Sequence, residues 1–251
     1  MPVLQLPSRY GDVPTYTREP SGDAPAPAVV VLHDADGMSS DLRAQADWLA
    51  DASYLAAAPD LYRGGAKVRC MIRMIRDLIA GRDDAAMDAI AAARTWLLEH
   101  PRCSGKVGAI GFCMGGGFAL MVAIRGEYDA ASVNYGGLTD GVRAGLPKAC
   151  PIVASYGGRD PTLRGAASEL ASLLSDADVP HDVKEYPSAG HGFMNDHSAD
   201  AMPWLFVLMS KLSRTRFDPQ ATADARRRIL AFFAEHLGGP DDAAAAAGAQ
   251  T

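Results

Sequence analysis

Cysteine is scarce in this chain: four in 251 residues, at positions 70, 103, 113 and 150, with no Cys-x-x-Cys spacing. A disulfide framework and a cysteine-rich metal site are thereby excluded, and a chain this long buries a full hydrophobic core without covalent staples. The six histidines (33, 100, 181, 191, 197 and 236) form no His-x-x-x-His or His-Glu-x-x-His pair, so no metal and no cofactor is expected. Positive charge is short as well. With 24 Lys and Arg against 30 Asp and Glu, the net charge of −6 and pI near 5.5 leave no broad basic face and exclude a nucleic-acid partner. No apolar run reaches the length of a membrane span, and the first ten residues lack a basic segment leading into an apolar one. The expectation is an acidic cytoplasmic globule with no membrane partner, as a monomer or a homodimer.

What is present is alternation. Short β-rich runs and helical patterns follow one another almost from end to end, which predicts an α/β fold with a mostly parallel central sheet flanked by helices. Strands are expected near 2–6 and 13–18, paired as an edge hairpin, then at 28–32, 54–58, 106–110, 130–135, 151–156 and 182–186. Helices are expected at 39–52, 66–80, 83–100, 114–125, 161–177 and 221–237. In the 66–80 helix, Val68, Met71, Ile72, Ile75 and Ile79 form the core face and Arg69, Arg73 and Arg76 a solvated one. One domain is expected over 1–239. The Ala-rich segment 240–251 reads as a disordered tail, and the apolar insertion 198–217 as either a lid or an extension of the core.

The densest local signal is Gly111-Phe112-Cys113-Met114-Gly115, between an apolar strand and the helical run beginning at Phe118. This is the pattern of a nucleophile elbow, in which the central residue takes a strained conformation and flanking glycines let strand and helix approach closely. Cysteine stands at the tip, where the helix dipole and free N–H groups favour negative charge. The pentapeptide also arises by chance in glycine-rich turns, so its context must carry the reading.

Ligands in an open α/β sheet bind beyond the carboxyl ends of the strands. After the 151–156 strand comes Gly157-Gly158-Arg159-Asp160-Pro161, and after 182–186 comes Pro187-Ser188-Ala189-Gly190-His191-Gly192-Phe193. Nucleophile, acid and histidine therefore follow one another in α/β-hydrolase order. Asp160 before a proline can alternatively cap a helix, and His197, six residues beyond His191, is that histidine's close competitor. His33 and His100 precede the elbow, His181 precedes its strand, and His236 suits the C-terminal end of the last helix.

The chain resembles the dienelactone hydrolase family of α/β-hydrolases. The similarity rests on Gly111-Phe-Cys113-Met-Gly-Gly116, Val29-Val-Val-Leu-His-Asp-Ala-Asp-Gly37, Ala58-Pro-Asp-Leu-Tyr62, the acid turn ending at Asp160, and Ala189-Gly-His-Gly-Phe193. It implies a single-domain α/β-hydrolase fold with Cys113 as nucleophile, His191 as base and Asp160 as the acid that orients it. The same resemblance makes Asp34, one methylene shorter than the family's frequent glutamate, a candidate gate on the thiol. Where dienelactone-cleaving members carry an arginine four residues after the histidine, this chain has Asn195, a departure that argues against dienelactone itself.

The expected chemistry is hydrolysis of a small ester or lactone through a thioester. Its oxyanion would be held by the backbone N–H of Met114 and of Ala35, with Tyr135 at a strand end lining the pocket. Two other readings stand beside it: a catalytically silent scaffold that binds another protein, and acyl transfer at the same site. A dinucleotide site is excluded, because the glycines do not follow Gly-x-Gly-x-x-Gly and the next strand does not end in an acid.

Overall fold

The structure is a computed structural model that describes residues 3–65, 67–79, 85–197 and 215–238. Most of the 198–217 insertion and all of the 240–251 segment lie outside them. Eight strands form one sheet: β1 (Val3–Leu6), β2 (Val13–Arg18), β3 (Ala26–Leu32), β4 (Leu55–Pro59), β5 (Cys103–Phe112), β6 (Ala130–Asn134), β7 (Ile152–Gly157) and β8 (His181–Tyr186). Their spatial order is β1-β2-β4-β3-β5-β6-β7-β8. As expected, β1 and β2 pair as an antiparallel edge hairpin, and every pairing from β4 to β8 is parallel.

The α-helices among the described residues are α1 (Ser40–Asp51), α2 (Lys67–Ile79), α3 (Ala85–Glu99), α4 (Met114–Ala123), α5 (Asp140–Gly145), α6 (Ala166–Asp176) and α7 (Pro219–Leu237). The continuous apolar run of β3 is what a strand covered on both faces requires. Ala28, Val30 and Leu32 point into one core layer with Ile90 and Leu97 of α3, Phe118 of α4 and Leu170 of α6. Val29 and Val31 point into the other, with Leu42 and Leu49 of α1 and Ile229 and Phe233 of α7. The sheet order reverses between β3 and β5, so their carboxyl ends open a crevice between connections that diverge.

Two local expectations are corrected, and one helix, α5, is an addition to them. The predicted 161–177 helix starts only at Ala166, because the Asp160 carboxylate accepts hydrogen bonds from Thr162 N at 2.8 Å and Thr162 Oγ1 at 2.6 Å and holds the intervening residues in a turn. Helix α5 is too short to leave a periodic signal. On α2 the buried residues include Cys70, Met71 and Met74, whereas Ile72 is 59% exposed.

Glycines fix how closely the elements around the crevice approach. A Cβ on Gly115 would stand 2.2 Å from the carbonyl oxygen of Leu32 and 2.6 Å from that of His33, and one on Gly111 would stand 2.0 Å from Gly115 O. Gly115→Ala should therefore cost about 3 kcal/mol, since backbone has to move. Gly126→Ala, at φ +72 with no atom within 4 Å, should cost only about 1 kcal/mol. Urea denaturation of the two variants checks this, and equal losses would contradict the close-approach account.

Candidate active site

Cys113 joins β5 to α4 with φ 53 and ψ −113, a left-handed conformation that a residue with a Cβ rarely adopts. Its amide donates to Asn134 O at 3.0 Å, and its carbonyl accepts the first intrahelical bond of α4, from Gly117 N at 3.2 Å. The N–H groups of Met114, Gly115 and Gly116 are therefore first-turn amides with no partner inside the helix. The Cys113 side chain makes no capping bond to them and stays half-buried at the end of the strand. The expected elbow is thus present in its backbone.

Asp160 and His191 come together from the ends of β7 and β8. His191 Nδ1 lies 2.6 Å from Asp160 Oδ2, and the Asp160 carboxylate is 1% exposed. The loop carrying His191 can lie against β7 because Gly157 has no Cβ; one there would stand 2.2 Å from Gly190 O. Burial pushes the His191 pKa down, but negative charge on Cys113 and hydrogen bonds to Asp160 and Cys113 outweigh it and raise the value to about 10. Burial pushes Asp160 up, and its bonds to His191 and Thr162 bring it below the ordinary carboxylate value. Asp160 thus faces the histidine as well as its own turn.

Of the remaining sequence candidates, Met114 heads α4, and Tyr135, Asp34 and Ala35 are tied into hydrogen bonds around the crevice. Tyr135, also at positive φ, sets its ring edge-on to His191 with centroids 5.2 Å apart. Its hydroxyl donates to Asn195 Oδ1, Asn195 Nδ2 donates to Asp41 Oδ2 at 2.6 Å, and Asp196 N donates to Asp41 Oδ1 at 2.8 Å. Tyr135 is buried and committed to this chain, so its ring wall, not its hydroxyl, faces His191. Asp34 Oδ1 accepts from Asp36 N at 2.8 Å and Oδ2 pairs with His197 Nε2 at 2.8 Å. Both oxygens of the candidate gate are thereby engaged. Ala35 lies in the same connection, its carbonyl accepting from Tyr62 Oη at 2.9 Å. His33 shapes that connection, its Nδ1 2.6 Å from Asp34 O and its Nε2 accepting from Leu61 N at 3.0 Å.

Sequence reasoning missed Asp41 and gave Asn195 only the role of a missing arginine. Their contact spans 154 positions, and no spacing rule reports it.

A mostly parallel sheet with an elbow after β5, an acid after β7 and a histidine after β8 defines an α/β-hydrolase fold. The dienelactone hydrolase family profile matches residues 13–237, and the chain belongs to that family. Carboxymethylenebutenolidase of Pseudomonas putida is 29% identical over 190 residues, covering 70% of this chain and 78% of that enzyme. Among solved structures, a dienelactone hydrolase-like promiscuous phosphotriesterase from metagenomic libraries superposes with a TM-score of 0.75 at 22% identity, covering 90% of this chain and 94% of that one. Dienelactone hydrolase from Anabaena variabilis superposes with a TM-score of 0.63 at 19% identity, covering 94% and 97%. These two likenesses concern the fold. Among the described residues, no helix is long and apolar enough to cross a membrane.

Asp160→Asn removes a charge and a strong acceptor from His191, so the imidazole should titrate lower by about one unit or more, measured by NMR of its ring protons. An unchanged midpoint would mean that the 2.6 Å contact does not govern the histidine.

Proposed function

We propose that this protein hydrolyses a small carboxylic ester or lactone, with Cys113 as nucleophile, His191 as general base and then acid, and Asp160 as the group that orients His191. The observation that carries the reading is the strained elbow at Cys113 beside a histidine whose other nitrogen is fixed by a buried carboxylate. Family membership supports the reaction class, and the name of the Pseudomonas putida relative is consistent with a lactone as substrate.

The chemistry follows from where charge can sit. The Cys113 thiol proton passes to Nε2 of His191, and the imidazolium is stabilised by Asp160 across Nδ1. The thiolate adds to the substrate carbonyl carbon, and the carbonyl π electrons move to oxygen. That oxyanion is received by the backbone N–H of Met114, at the free N-terminus of α4, and by that of Ala35 in the β3–α1 connection. When the carbonyl re-forms, the C–O bond breaks and the departing alkoxide takes the proton from His191. In a lactone the alcohol remains tethered to the acyl group. His191, now neutral, deprotonates a water that attacks the thioester, and the acid leaves as the thiol is restored.

A thiol nucleophile works only while reduced, which suits a cytoplasmic setting, and the substrate is a small-molecule ester or lactone. Aryl acetates and simple lactones are the probes. Cys113→Ala and His191→Ala should each lower kcat by about a thousandfold or more, as removal of a nucleophile or its base does elsewhere. Turnover of Cys113→Ala equal to wild type would refute the nucleophile. Aminolysis outpacing hydrolysis when an amine is added would favour acyl transfer, and no turnover by wild type would favour a silent scaffold.

A further inference from the structure

Four consecutive residues after the histidine loop are bonded to the β3–α1 side of the crevice. Met194 O accepts from Gln45 Nε2 at 2.9 Å, Asn195 Nδ2 donates to Asp41 Oδ2 at 2.6 Å, Asp196 N donates to Asp41 Oδ1 at 2.8 Å, and His197 Nε2 pairs with Asp34 Oδ2 at 2.8 Å. The first three join the loop to α1. The last joins it to the connection that carries Ala35, which follows directly on the two carbonyls pressed against Gly115 at the head of α4. The His197–Asp34 pair is mostly buried, with both side chains 12% exposed.

We propose that His197 is a positioning residue for the Cys113 site: its imidazolium holds the Asp34 carboxylate, locking the Ala35 loop to the histidine loop and compensating the Asp34 charge. The proposal rests on the catalytic reading above but assigns a part that reading does not use. Three carboxylates face His197: Asp34 and Asp36 from the β3–α1 connection and Asp41 from α1, with Asp36 Oδ2 3.7 Å from Nδ1. A neutral ring would turn an Nδ1 lone pair towards Asp36, whereas an imidazolium meets a negative charge on both sides. Other charges border the cluster, namely His33 beside Asp34 and Arg226, which donates to Gln45 Oε1 at 3.0 Å and lies near Asp41. Burial opposes the charged ring, but the hydrogen bond and charge of Asp34, then Asp41 and Asp36, raise its pKa to about 9. Because the folded value lies above the ordinary 6.5, the pair contributes fully below pH 6.5 and is lost as pH rises through about 9.

The test combines kinetics with a readout that needs no substrate. His197→Gln keeps a donor without the charge, and His197→Ala keeps neither. In wild type, kcat should fall as pH passes about 9. In His197→Gln the fall near pH 9 should vanish, leaving only the later limb set by His191 at about 10, and kcat at neutral pH should drop roughly fivefold with KM within about twofold. In parallel, iodoacetamide alkylation of Cys113, followed peptide by peptide at neutral pH, should slow by about threefold in His197→Ala, where an uncompensated carboxylate opposes the thiolate. Adding Asp34→Asn to His197→Ala should restore the alkylation rate. Wild-type kcat and an unchanged alkaline limb in His197→Gln would overturn the proposal. If no ester is turned over, the reading of function fails by itself, and the alkylation series still decides: equal rates in wild type, His197→Ala and the double variant overturn the role of His197.

Discussion

Cys113 at φ 53 and ψ −113 is held between three strand ends, and the geometry of the crevice is measured from that turn. A side chain in this conformation costs about 1–3 kcal/mol and persists only where its surroundings over-determine it. Here they do. The Cys113 amide is bonded to Asn134 at the end of β6, Gly115 lies against the carbonyls of Leu32 and His33 where β3 ends, and Gly116 lies against Asn134 and, just after β6, Gly136. The helix that follows is apolar over its whole length and buried, so it cannot rotate to relax the turn without opening the core.

Two further connections are spaced from this turn in the same manner. Gly157 brings the histidine loop against β7, which sets His191 within reach of Asp160. Asp160 serves two functions with its two oxygens, closing its own turn through Oδ1 and facing His191 through Oδ2. Delaying α6 by five residues is the structural consequence. From Tyr135, whose ring edges His191, a buried polar chain runs through Asn195 to Asp41, in which each group meets a partner of opposite character. Such a chain rigidifies only when its members are satisfied, and Asn195, with its oxygen and its nitrogen both used, is the link between a strand-end tyrosine and α1.

Much of this was legible in the amino-acid order. Strands buried on both faces announce themselves as uninterrupted apolar runs, and Val29 to Leu32 is one. The elbow was readable because glycine is irreplaceable where backbone meets backbone, and the acid and histidine because glycine-flanked polar residues stand at strand ends. What escaped is long-range or short. Helix α5 spans less than two turns, and Ile72 reads as core by periodicity although the layer it would enter is filled by Met71 and Met74. His197 entered the sequence reading as a rival to His191. Its pairing with Asp34, across 163 positions, gives it a place of its own.

The account stands on a covalent step at one sulfur. The most direct measurement is rapid-quench mass spectrometry after mixing the protein with an activated aryl acetate, with the modified peptide mapped and its lability to hydroxylamine tested. The account predicts a transient acetyl thioester on the peptide bearing Cys113, formed at the rate of the aryl alcohol burst and decaying at the steady-state rate. An acetyl group on another residue, or full turnover with Cys113 unmodified throughout, would contradict it.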